Sequence, residues 1–177
     1  MIIGSVSENK EVEKMISITP EIAKKYIGLG FEILLSEDYG KHLGFNEKEY
    51  KDLGVKFITD DKELIEKSDI IIQMSLLENE KNSLLKAGQI FIGVLNPYDN
   101  KNKLDELLKK KINFFSLELL PRITRAQSMD ILSSQANLAG YKAVVESFSI
   151  YEKAIPMMMT AAGTIPAEKV LVVGAGV

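Results

Sequence analysis

Short apolar runs alternate with polar, helix-periodic stretches over the first two thirds of the chain. Residues 1–3, 31–35, 55–58, 69–74, 89–94 and 112–117 read as strands, and the run DIIIQM at 69–74 is the kind of continuous apolar segment a buried parallel strand needs. Between them lie helical patterns. The first opens at Thr19-Pro20-Glu21, where Thr19 can cap, Pro20 fits the first helical position and an acid follows in the first turn; it ends near Gly28-Leu29-Gly30. Others cover 46–52, 60–67, 78–85 and 101–110. Strand and helix alternate about six times, which predicts βαβ units and a doubly wound, mostly parallel α/β sheet of Rossmann or flavodoxin-like type, covered by helices on both faces.

The pattern changes after Pro121. From 126 to 153 nothing breaks a helix, so a long connecting helix is expected, followed by a loop over 156–166 and a strand over 169–173. That strand runs into Gly174-Ala175-Gly176-Val177, the opening of a G-x-G dinucleotide turn. In such a turn the first glycine makes the bend and the second lets the backbone approach a pyrophosphate. A plain pair of turn glycines would look the same. The expected division is an α/β domain at 1–125, the connecting helix at 126–155, and the loop and opening strand of a second, incomplete dinucleotide-binding domain at 156–177. The chain therefore reads as a piece of a longer protein, with negligible turnover expected for the piece alone.

Composition narrows the function classes. The chain of 177 residues is 46% hydrophobic and 27% charged, enough apolar material for a core. Its net charge is −3 with no basic patch beyond Lys109-Lys110-Lys111, which argues against nucleic acid as a partner. It has no cysteine, so neither disulfides nor thiol chemistry are available. No secretory leader or membrane-length apolar stretch is read, so a soluble, cytosolic chain is expected. His42, the only histidine, sits in a loop-like segment and is expected to be exposed; no residues show metal-ligand spacing.

The chemistry concentrates in PRITRAQSMDILSSQANLAGYKAVVE, Pro121 to Glu146. Of 22 basic residues only Arg122 and Arg125 are arginine, placed together in a chain that otherwise uses lysine. A guanidinium offers a rigid, always-charged fork that lysine cannot reproduce. Gln127, Ser128 and Asp130 surround the pair at the mouth of the long helix. Capping would account for Ser128 and Asp130, but not for the arginines. Within the helix, Ser133, Ala136, Gly140 and Ala143 form a small-residue face that suits a packed backbone or a ligand, while Tyr141, Val145 and Phe148 read as core.

This segment resembles the alpha, NAD(H)-binding subunit of the proton-translocating NAD(P) transhydrogenase family, whose loop reads R-I-S-R-A-Q-S-M-D; it is similar, more distantly, to alanine dehydrogenase. Supporting stretches are K-E…T-P with Thr19-Pro20, T-A-A-G-x-x-P at 160–166, and the strand into G-A-G-V. The resemblance implies that Arg122, Gln127, Asp130 and Ser133 sit beside a nicotinamide, with Arg122, Gln127 and Asp130 as the catalytic set and Gly174 and Gly176 completing the cofactor contacts. It also implies hydride transfer between NAD(H) on this subunit and NADP(H) on a partner component, coupled to proton movement through a membrane-spanning subunit. A homodimer of the NAD(H)-binding component, held peripherally at the cytoplasmic side of the inner membrane by its partners, would follow.

Three positions depart from the pattern. Amino-acid dehydrogenases of this superfamily place an arginine, a lysine and a histidine where this chain has Met15, Gln73 and Asn96. Without those groups, reductive amination of a 2-oxo acid lacks its cation and its acid/base residue. An alanine dehydrogenase-like enzyme and a non-catalytic interaction module remain as the other readings of the sequence.

Overall fold

The computed structural model describes residues 1–176, apart from the side chain of Asn79. The chain divides into two compact units, Met1–Leu120 and Pro121–Val177. In the first unit all six expected strands form: β1 (Ile2–Ser5), β2 (Glu32–Ser36), β3 (Lys56–Ile58), β4 (Ile70–Ile72), β5 (Ile90–Gly93) and β6 (Asn113–Ser116). Every pairing is parallel, in the order β3-β2-β1-β4-β5-β6. The chain thus builds outward from β1 to β3, returns to lay β4 beside β1, and builds outward the other way. The crevice at the carboxyl ends of β1 and β4 is the topological switch point of this Rossmann-like sheet.

Local chemistry sets the helices α1 (Pro20–Gly28), α2 (Glu47–Asp52), α3 (Asp61–Lys67), α4 (Asn79–Ser83) and α5 (Lys101–Leu108). Thr19 caps α1 by accepting from the Ile22 N–H at 3.4 Å, Asn46 caps α2 from Lys48 at 3.0 Å, and Asp60 caps α3 from Lys62 at 2.9 Å. The two-residue period of the strands sorts their side chains onto two faces. Leu34, Ile71 and Phe91 join α3 and α5 through Leu64, Ile65, Leu104 and Leu107, while Ile3, Ile33 and Leu35 pack with Ile18, Ala23 and Tyr50 on the other face. His42 is exposed, as expected, and hydrogen-bonds the Lys14 carbonyl at 2.6 Å.

The second unit departs from expectation in several places. The long helix α6 spans Ile131–Ile150 and is preceded by a 3-10 turn at Thr124–Met129, because the capping side chain is Asp130 rather than Ser128. Residues 156–166 contain an antiparallel hairpin, β7 (Met158–Thr160) with β8 (Gly163–Ile165), in place of a plain loop. No strand forms over 169–173: Val170–Val173 are exposed, and a strand without a ladder partner leaves its backbone groups to water. Tyr141, Val145 and Phe148, expected in a core, are exposed. Gly140 has open space where a Cβ would lie, so no packed backbone explains it among the described residues. No helix among the described residues is long and apolar enough to cross a membrane.

One packing constraint in the sheet is directly testable. A Cβ on Gly93, at the end of β5, would come 2.5 Å from the Gln73 carbonyl oxygen, a backbone atom that cannot swing aside. Gly93→Ala should lower unfolding free energy by about 1–3 kcal/mol in urea titrations, the usual range for overpacking; an unchanged midpoint would show that β4 and β5 can separate there.

Candidate functional site

In the second unit, Arg122, Ile123, Thr124, Ala126, Gln127, Asp130 and Ser133 line one cavity of about 380 Å³. The 3-10 turn explains the convergence. With three residues per turn, side chains three apart stand above one another, so Thr124 and Gln127 share a side that continues to Asp130 and Ser133. The same spacing would have flagged Thr124 from the sequence; Ile123 and the buried Ala126 supply the apolar part of the wall.

Asp130 is the fixed point. Its Oδ1 accepts from the Ser133 N–H at 3.0 Å, and Ser133 Oγ donates to its Oδ2 at 2.6 Å. These two bonds, with a smaller pull from the Arg122 charge, hold the carboxyl below the usual aspartate range. Arg125 is exposed and does not line the cavity, nor do Gly174 and Gly176. Gly174 has φ +100, a conformation that favours glycine in a bend. Val177, the last residue of the G-A-G-V motif, lies outside the described residues.

The first unit carries a second polar cluster, at the carboxyl ends of β1 and β4. Tyr39 Oη accepts from the Ser17 and Ile18 N–H groups at 3.1 and 3.2 Å, so its own proton is directed to Ser5 Oγ at 2.9 Å. Ser5 donates in turn to Gln73 Oε1 at 2.9 Å, which also accepts from the Val6 N–H at 2.8 Å. Gln73 Nε2 donates to the Val6 carbonyl and to Glu8 Oε1, both at 3.1 Å. Glu8 further accepts from the Met74 N–H at 2.6 Å, the Ser75 N–H at 3.3 Å and Ser75 Oγ at 2.7 Å. Burial nevertheless pushes its carboxyl above the usual range, the bonds from Ser75 and Met74 opposing this. Ser5, Glu8 and Tyr39 were not singled out from the sequence, since nothing local marks them as partners of residue 73.

A family model described as "Alanine dehydrogenase/PNT, N-terminal domain" matches residues 4–139. The chain belongs to the alanine dehydrogenase/PNT family. Over its whole length it is 42% identical to the first of the separately encoded pieces of NAD(P) transhydrogenase subunit alpha in Rickettsia prowazekii, and it spans 47% of that protein. It is 37% identical to the protein of the same name from Rhodospirillum rubrum, again over 47% of it. The crystal structure of transhydrogenase from Sinorhizobium meliloti superposes with a TM-score of 0.87 at 36% identity, covering 94% of this chain and 50% of that one. The likeness to transhydrogenase alpha subunits read from RITRAQSMD is thus borne out. The chain spans about half the length of these relatives.

Within this family, the geometry around positions 15, 73 and 96 is informative. Gln73 is buried and uses both acceptor sites and both N–H donors on its own chain, leaving nothing for a ligand. Met15 is uncharged and partly exposed, and Asn96 holds a left-handed conformation at φ 45 after β5.

Asp130 yields a pH prediction. Its folded-state value lies below the ordinary one, so its capping contribution is fully present above the ordinary aspartate range and is lost as pH falls through the depressed value. Far-UV circular dichroism should show α6 losing helicity on acidification through that range. Asp130→Asn retains a capping oxygen without the titration and should flatten this component; an identical acid transition in the variant would remove Asp130 as its origin.

Proposed function

We propose that this chain is part of the NAD(H)-binding component of a proton-translocating NAD(P) transhydrogenase, with the cavity of the second unit as its nicotinamide site. What carries the reading is that Arg122, Gln127, Asp130 and Ser133 line one cavity, inside a chain alike over its full length to transhydrogenase alpha subunits. The volume falls within the range of small-molecule sites, and the wall combines apolar groups with a few fixed polar ones, which suits an aromatic ring bearing an amide. When bound, the dinucleotide supplies the hydride chemistry itself, exchanged with NADP(H) held by a partner component.

The chain's own residues then have positioning work. The Gln127 amide can both donate to and accept from a carboxamide, fixing which way a ring faces. Asp130, locked by Ser133, is a rigid acceptor at the mouth of the helix, and Arg122 provides a permanent positive charge on the same wall. Ile123 and Ala126 exclude water from one side. Gly174 and Gly176 would let backbone approach a pyrophosphate in the complete dinucleotide domain. Membrane-spanning and NADP(H)-binding partners, a homodimer of this component and a peripheral place at the inner membrane belong to the same proposal.

Neither of the other readings gains comparable support. Gln73 offers no free donor for a substrate carboxylate, so the intact protein given NADH, pyruvate and ammonia should oxidise no NADH; turnover there would promote the amino-acid dehydrogenase. An interaction module gives no reason for four polar side chains to share a cavity.

The decisive assay is hydride transfer from NADPH to an NAD+ analogue by the intact subunit with its partner components. Gln127→Asn shortens the amide by one methylene and should slow transfer on the order of a hundredfold, the scale of an ångström misplacement. A normal rate in that variant would reject the anchoring role, and failure of the intact wild-type complex to transfer hydride would reject the function.

A further inference from the structure

The switch-point crevice of the first unit holds a carboxylate whose charge the fold leaves unpaired. Ser7, Glu8, Asn9, Gln73, Ser75, Leu76, Leu77, Glu78 and Lys81 enclose a cleft of about 210 Å³ there, where open α/β sheets place their ligands. Glu8 is tied by neutral donors only, and none of the ion pairs among the described residues includes it. A half-buried carboxylate without a counter-ion is unfavourable unless a cation arrives from outside.

The cation already in the cleft is committed elsewhere. Lys81 Nζ pairs with Asp61 at 2.8 Å, and Asp61 is further held by Ser36 Oγ at 2.7 Å. The remaining charged groups around Glu8 are acidic: Glu78 lines the same cleft, and Glu13 raises the Glu8 carboxyl further by repulsion. Tyr39, the nearest other titratable group of the network, is kept neutral by burial. The cleft therefore carries uncompensated negative charge.

Size and hydrogen bonding then restrict the ligand. The volume is below that of ordinary small-molecule sites, so there is room for only a few heavy atoms. Glu8 Oε1 already accepts three bonds, whereas Oε2 accepts one, from Ser75 Oγ, and a carboxylate oxygen can take two. We propose that this cleft binds a compact ammonium-bearing cation, with Glu8 as its counter-ion and Oε2 as its principal acceptor. The proposal concerns the first unit and stands apart from the nicotinamide site.

The test is a carbon NMR titration of the Glu8 carboxyl in the full chain, assigned with Glu8→Gln, in methylammonium, potassium and tetramethylammonium chloride at equal ionic strength. Methylammonium should lower the Glu8 midpoint by about half a pH unit, a threefold preference for the ionised form, with no shift in tetramethylammonium, which has no N–H to donate. An equal shift in potassium would overturn the ammonium assignment, and identical midpoints in all three salts would overturn the site. Ser75→Ala offers a second check that spares the backbone bonds to Glu8: it frees a further acceptor position on Oε2, so the methylammonium shift should persist or grow. Loss of the shift in that variant would place the cation elsewhere.

Discussion

A parallel sheet buried on both faces has one unavoidable problem at its centre: polar groups at the strand ends must be satisfied by the protein itself. Here β1 and β4 meet that requirement with a single side chain. Gln73 takes a bond from Ser5 Oγ and one from the Val6 N–H, and returns bonds to the Val6 carbonyl and Glu8. Through Ser5 the chain of bonds reaches Tyr39 and the segment before α1. The loops after both central strands are thereby fixed, and the crevice at the switch point is shaped by side chains that hold one another. Charge is what this arrangement leaves over, because Gln73 is neutral where Glu8 is not.

The second unit follows a different logic. Its polar residues are organised along one stretch of chain, by a 3-10 turn handing over to a capped α-helix, and the helix beyond presents apolar side chains outward. Asp130 does two things at once: it ends the irregular segment and fixes an acceptor on the cavity wall. A site built this way depends on local geometry more than on a core. Its precision therefore rests on the Asp130–Ser133 lock and on the buried Ala126 beneath it. That dependence accounts for the tight spacing of the polar residues, which leaves little chain between them to flex.

Much of the fold was legible residue by residue. The runs at 31–35 and 69–74 could hardly be anything but buried strands, and Thr19-Pro20, Asn46 and Asp60 announced helix starts that the structure confirms. The polar cluster at 122–133 was legible too, since two arginines in a lysine-rich chain stand out and the whole cluster lies within one turn-and-helix segment. Ser128 was a poor guide because any of several polar residues can cap, and the choice depends on where the 3-10 turn gives way to the α-helix. The strand expected over 169–173 failed for a different reason. Its valines state a propensity, but a strand exists only with a hydrogen-bonded neighbour.

The sequence by itself determined what short-range forces decide: the alternation of elements, their caps, and the gathering of Arg122, Gln127, Asp130 and Ser133 near one helix start. Tertiary structure alone decided which strands become neighbours, and so which distant residues meet. Glu8 and Ser75 are 67 positions apart, and nothing in the local pattern of either foretells that the return of the chain to β1 will set one against the other. Contacts of that kind arise from the order of strands in the sheet, a property of the packed whole rather than of any segment.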